Sequence, residues 1–278
     1  MIKLVNLLWL TLVLLFIVTG CAFSTKHYSS SVVQYLYPKK EGVIETPTIP
    51  NLTLPLRVGV AFVPEAGIRS QALTERNKME LMKNVSDHFK HYEFIKSIEI
   101  IPSAYLTPMG SFANLNQIKT MYGIDVIALL SFDQSQFTDE GLATITYWTL
   151  IGAFVVPGEK NDTQTMLDAA VYDIQSQKML FRAPGTSRIK NSATPVNLSE
   201  QKRLDSEEGF KQASKELVTN LVQQLEMFKE KLKEQPENYK IEHGPGYTGG
   251  GSLDASILII MGLLICGYWI WKKTTPTA

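Results

Sequence analysis

Apolar residues are distributed along this chain in three ways. Leu7 to Val18 and Ala255 to Trp271 are dense apolar stretches near the two ends, whereas between them apolar and polar positions recur at strand or helix periods. In that middle part, Leu56-Arg57-Val58-Gly59-Val60-Ala61-Phe62-Val63-Pro64 is β-rich and closed by a proline, which predicts the first strand of a domain. Leu81, Met82, Val85 and Phe89 then share one face of a helix, and Ile98 to Pro102 forms a second strand, which makes a β-α-β unit. Leu115, Ile118 and Met121 repeat at helical spacing. Gly123 follows as a C-terminal cap, and Ile124 to Phe132 is apolar enough for a central strand. Thr144 to Val156 is strongly β-forming and ends at Pro157-Gly158. Met166 to Ile174 and Lys178 to Ser187 flank the turn Gln175-Ser176-Gln177, so Ala169, Val171 and Tyr172 pair with the Met179, Leu180 and Phe181 arm. A closing helix takes Asp205 as N-cap, Glu207 and Glu208 in its first turn, and a stripe of Leu217, Leu221, Leu225, Phe228 and Leu232, with Pro236 ending it. The expected fold is α/β: a single compact domain over 56–234 with a mixed β-sheet and about three helices.

The flanks read differently. Ser29, Ser30 and Ser31 followed by Pro38, Pro47, Pro50 and Pro55 keep 21–55 from forming a long helix and predict an extended tether. Within it Val32, Val33, Tyr35, Leu36 and Tyr37 are apolar enough to dock, on the domain itself in preference to a partner. Residues 235–251 read as a flexible Gly-rich linker. The apolar end stretch of about 17 residues would reach about 26 Å as a helix, close to the lower limit for spanning a bilayer. Tyr268, Trp269 and Trp271 beside Lys272-Lys273 match an aromatic belt followed by a positive cytoplasmic end, so 252–278 reads as a transmembrane tail.

Charge narrows the partners. Lys plus Arg and Asp plus Glu each total 27, so the chain lacks the basic excess that nucleic-acid binding requires. Its two cysteines are Cys21, at the end of the first apolar run, and Cys266, inside the last. Neither is placed to staple the central domain, which must stand on its apolar core. Met1 to Gly20 has an early Lys3, an apolar centre and small residues before Cys21, the layout of a secretory signal peptide over 1–20.

Val18-Thr19-Gly20-Cys21 resembles the lipobox of bacterial lipoproteins. That resemblance implies cleavage between Gly20 and Cys21, with a diacylglycerol and an N-acyl chain carried covalently on Cys21. Two or more acyl chains anchor a protein stably. Ala22, where an Asp would signal inner-membrane retention in enteric-type bacteria, favours transport to the outer membrane. At the other end, Gly249-Gly250-Gly251-Ser252 precedes the terminal apolar run, and glycines disfavour any helix there, leaving the backbone open to a protease. Glycines, a short span and then lysines resemble the GlyGly-CTERM sorting signal, which rhombosortase, a rhomboid-family serine protease, recognises. Lipobox and tail together resemble the rhombotarget lipoproteins, as does the stretch from Ser29 to Pro38. The resemblance implies a bacterial envelope location, facing the periplasm or the cell surface. The partners it implies are membrane lipid, lipoprotein-processing enzymes and the rhomboid-type protease.

Chemistry of the chain's own is harder to find. His88 and His91 lie one turn apart but lack the His-Glu-x-x-His pattern, so no metal site is assigned. No Gly-x-Ser-x-Gly elbow, Walker loop or Rossmann fingerprint stands at a strand-to-helix junction, so no catalytic residue is assigned either. Asp125 and Asp133 bracket one strand, and Asp162, Asp168 and Asp173 another; a solvated edge is the reading, an acidic cluster the alternative. Trp148 to Val156 lacks polar alternation and reads as a buried strand, with a membrane-touching or oligomer-forming loop as the alternative. The order of elements is similar in pattern to compact α/β lipoproteins such as the curli-secretion lipoprotein and the outer-membrane activators of peptidoglycan synthases. The expected role is non-enzymatic: a lipid-anchored protein that binds or scaffolds an envelope protein partner and needs no cofactor. A subunit of an envelope secretion or peptidoglycan-synthesis assembly is the alternative, and an envelope hydrolase is third.

Overall fold

The structure, a computed structural model, describes residues 23–38, 49–65, 73–140, 159–194, 196–245 and 247. Strand β1 (Phe23–Ser29) and helix α1 (Val32–Leu36) come first, then β2 (Asn51–Leu54) and β3 (Leu56–Phe62). Helix α2 (Glu75–Phe89), β4 (Ile95–Ile101), α3 (Ser111–Tyr122) and the long β5 (Val126–Glu140) follow. The chain continues with β6 (Glu159–Asp173), β7 (Met179–Ala193), the 37-residue helix α4 (Leu198–Glu234) and β8 (Lys240–His243).

One mixed sheet runs β4-β3-β5-β6-β7. The β3-β4 and β3-β5 pairs are parallel, and β5-β6 and β6-β7 are antiparallel. β5 is central and serves two neighbours on one edge. Its first half pairs with β3, and its second half pairs antiparallel with β1, from Ser29 against Asp133 to Phe23 against Asp139. Both faces of its first half are covered, so successive residues enter different cores. Val126, Ala128, Leu130 and Phe132 pack with α2 and α4, whereas Ile127 and Leu129 pack with α1 and α3. The result is a three-layer α/β domain with a mixed sheet and, among the described residues, four helices of five residues or more.

Most expected elements stand where the periodicity put them, and the exceptions arise chiefly from pairing with distant segments. The stretch 21–55, expected to be an extended tether, contributes β1, α1 and β2 to the domain. Val32, Tyr35 and Leu36 are buried on the domain itself, and the Tyr35 hydroxyl donates to Asn114 Oδ1 at 2.8 Å. Pro38, Pro50 and Pro55 stand at the boundaries of short elements and do not hold the whole stretch extended. Likewise 235–251 is not linker throughout, because β8 pairs in parallel with β2 and Gly244 N donates to the Leu54 carbonyl. Asp205 is no N-cap: α4 begins seven residues earlier, at Leu198, with Asn197 as its N-cap residue. Met121 is exposed, and Phe112 takes its place with Leu115 and Ile118 in the buried stripe of α3. Gly123 does cap α3, in the left-handed conformation at φ 65°. In the hairpin Val171 faces Phe181 and Tyr172 faces Met179, while Ala169 meets Ala183.

Glycine decides how closely α4 approaches the sheet. A Cβ on Gly185 of β7 would fall on the Ala213 carbonyl oxygen and 2.6 Å from Leu217 N, so the helix backbone rests directly on the strand there. Gly209 makes the reciprocal approach from the helix, where a Cβ would stand 2.7 Å from Thr165 Oγ1.

Candidate functional site

Between α2 and α4, on the face of the sheet they share, lies a cavity of about 270 Å³. Its floor is made by Val58 and Val60 of β3, Val126 and Ala128 of β5, and Val171 of β6. Val60 pairs with Ala128, which pairs with Val171, so one continuous row across three strands carries only short side chains. The longer sheet side chains of the lining, Ile98 of β4 and Leu180 and Phe181 of β7, flank this row on either side, and the space above it stays open. Val85 and Phe89 of α2 form one wall, and Leu221, Leu225 and Phe228 of α4 the other. Leu52 and Leu54 of β2, Ile241 of β8 and Tyr247 close one end.

The polar endowment of this groove is small. Among the described residues, Lys229 is the one charged residue in its lining. Its ammonium is 2.7 Å from Glu226 Oε1 and stands 4.8 Å over the Tyr92 ring and 5.2 Å over that of Phe94. The Lys229 side chain is one-third exposed, which places the charge at the rim with its methylene stem along the apolar wall.

A second group of charged residues sits at the carboxyl ends of the parallel strands β3 and β4, where open α/β sheets commonly place ligands. Lys78 is buried, with its Nζ 3.0 Å from Glu75 Oε1 and 3.3 Å from Glu65 Oε1. The contact to Glu65 is an ion pair by distance but lacks hydrogen-bond geometry. Ser103 Oγ donates to Glu75 Oε2 at 2.7 Å. Burial pushes the Glu75 carboxyl up, but the hydrogen bonds from Ser103 and Lys78 outweigh it and hold the group below its usual range. The lysine is neutralised by two carboxylates, and the serine donates to a carboxylate already tied up by Lys78, whose lowered pKa makes it a weak base. Chemically this is a tie between the start of α2 and the strand ends.

A third polar region underlies the first half of α4. Asp205 is 1% exposed and accepts from Asn161 Nδ2 at 2.8 Å, from Gln201 Nε2 at 2.9 Å, and from Asn191. Gln134, fully buried, donates to Thr165 Oγ1 at 2.8 Å and accepts from Ser206 Oγ at 2.6 Å. These side chains satisfy one another, which makes the region a polar seam locking helix to sheet.

The aspartates expected on a solvated edge, with an acidic cluster as the alternative, stand apart in separate pairs, and Asp168 and Asp173 are buried. Asp125 meets Arg57, Asp133 meets His27, Asp162 meets Arg188 and Asp168 meets Arg182. Asp173 accepts from Ser176 N within the β6-β7 turn. His88 Nδ1 lies 2.9 Å from the Asn84 carbonyl oxygen, and no group of three or more metal-ligating side chains occurs among the described residues. No helix among the described residues is long and apolar enough to cross a membrane. Gly20, Cys21, Gly249, Gly250, Gly251, Ser252, the Ala255 to Trp271 run and the Trp148 to Val156 run all lie outside the described residues. The structure does fix where their neighbours stand. Phe23 is at the Asp139 end of β5, and Tyr247 is at the groove, beside the Val126 end.

The groove was missed in sequence because its side chains are those of any core. Leu221, Leu225 and Phe228 read as a buried stripe, and only Lys229 amid Tyr92, Phe94 and Phe228 departs from that pattern. No family model matches the chain, and no curated protein matches it. Among solved structures the chain is similar to a crystal structure described as that of a neuraminyllactose-binding hemagglutinin homolog from Helicobacter pylori. The two are 10% identical over 70% of this chain and 96% of that one, with a TM-score of 0.37. A likeness at that level carries nothing about fold or ligand.

Proposed function

We propose that this chain is a non-enzymatic lipoprotein of the bacterial envelope, anchored through Cys21, whose α/β domain is a binding module working through the groove between α2 and α4. The observation that carries the binding role is the groove itself: an open apolar surface between two helices with a single cation at its rim. Concave, mostly apolar sites with few polar groups are where proteins hold ligands and partner side chains. In this reading the tail after Gly251 is a sorting segment removed by a rhomboid-family protease. The lipid at Cys21 then holds the body at the membrane, with the outer membrane as its destination. The start of β1 two residues after Cys21 supports a short connection between lipid and domain.

A photo-crosslinking residue at position 241, beside the groove, tests the binding role in cells. The expected result is a discrete adduct that disappears when Ala128→Phe fills the floor. Irradiation that gives no adduct, or one indifferent to the filled floor, contradicts the binding role.

A further inference from the structure

We propose that the groove holds a single straight hydrocarbon chain of an anionic amphiphile, a medium-chain carboxylate, with its head on the Lys229 ammonium. This deepens the binding-module reading and rests on it.

Three observations lead there. The first is shape. The cavity of about 270 Å³ is walled by α2 and α4 and closed at one end by Leu52, Leu54, Ile241 and Tyr247, a shape that takes a slender chain end-on. The second is the lack of polar partners inside. A peptide entering the groove would bury N–H and C=O groups against Val58, Val126, Ala128 and Val171, none of which has a side chain that can answer them. Each unmet polar group would cost several kcal/mol, whereas a hydrocarbon carries none.

The third is charge. Among the described residues, Lys229 is the one charged residue in the lining, and it stands at the rim, where a head group would remain hydrated. Its present partner, Glu226, lies three residues earlier on α4 and is 56% exposed. Exposed pairs of this kind contribute little, so Glu226 can turn to solvent when a carboxylate takes the ammonium. The rings of Tyr92 and Phe94 beneath the ammonium hold it over the mouth.

The test uses the full-length protein in phosphatidylcholine nanodiscs and carboxyl-¹³C decanoate. Carbon NMR separates protein-bound carboxylate from that partitioned into the bilayer, and empty nanodiscs give the background. One saturable site per chain is expected. Lys229→Gln should weaken it about tenfold, Lys229→Arg should restore it, and Ala128→Phe should abolish it. A chain-length series on the unmodified protein keeps the test independent of whether the filled variant folds. Binding should tighten about fifteen-fold from octanoate to decanoate, as about 0.8 kcal/mol per buried methylene implies, and level off once the chain fills the closed groove. Absence of a saturable site, affinity that keeps climbing with chain length, or binding unaffected by Lys229→Gln overturns the proposal. If decanoate fails while the position-241 adduct still depends on an open floor, the amphiphile is wrong and the binding-module reading stands.

Discussion

Asp205 is the residue whose place was least legible in the sequence and whose substitution should be among the most costly. Asp followed by Glu207 and Glu208 carries the signature of a helix start, and that local signal is real. What overrides it lies far away: Asn161 and Asn191 arrive from β6 and β7 through strand pairing, and both donate to this carboxylate. No window of sequence around residue 205 contains them. Asp205→Ala leaves three amide donors without their acceptor under α4. It should destabilise the domain by about 3 kcal/mol or more, read as a lower urea midpoint at unchanged slope, with Asp205→Asn milder. Gly185 poses the opposite problem, since its role comes entirely from what touches it. Gly185→Ala forces the new methyl into the backbone of α4 and should cost about 3 kcal/mol, measured in the same way. A variant as stable as the parent would mean that the helix does not rest on β7 there.

Among elements, those with a clean period were legible and those stabilised by distant pairing were not. β3, α2, β4, α3, the start of β5 and the β6-β7 hairpin each carry their own hydrophobic pattern or turn residues. β1 has none: Thr25, Lys26 and His27 are polar and exposed, and the strand exists because the second half of β5 offers it an edge. β2 and β8 are four residues each and exist by pairing with one another. Helix α1 depends on packing, and its one buried side-chain hydrogen bond is testable. Tyr35→Phe leaves Asn114 Oδ1 with the Thr107 N–H alone and should cost about 1 kcal/mol; faster proteolysis after Tyr37 would report the loosened helix. At the start of α2, Glu75 titrates lower in the folded protein than in the unfolded chain. Its contribution is therefore complete above the unfolded value of about 4.5 and is lost as the pH falls through the lowered folded value. Comparing the parent with Glu75→Gln by thermal unfolding between pH 3 and 7 should show the difference shrinking toward acid. A difference that is constant across that range would separate Glu75 from the pH response.

The whole molecule is polar along β5. Phe23 marks one end of it, at Asp139, and the groove opens beside the other, at Val126 and Ala128. From residue 128 to 139 the strand rises about 37 Å. Phe23, two residues after the proposed lipidation site, thus stands at one end of the described body, while the groove and Tyr247 stand at the other. Such an arrangement suits a domain held by its lipid with its binding face turned away from that attachment. It also makes a second, permanent anchor at the tail a constraint on the orientation of the body, which removal of the tail would relieve. The candidate groove was not visible in sequence, because a floor of valine and alanine reads as core until the registry of three strands places those short side chains in one row. The lipobox-like and glycine-tail patterns at the two ends are local and stand in the sequence itself, outside the described residues. The measurement that tests the account most directly is the intact mass of the mature protein, isolated from membranes of cells with and without the rhomboid-type protease. The expected species begins at lipidated Cys21 and, only when the protease is present, ends within Gly249 to Ser252. A species that retains Trp271 in both cells would contradict it and make the tail a permanent anchor.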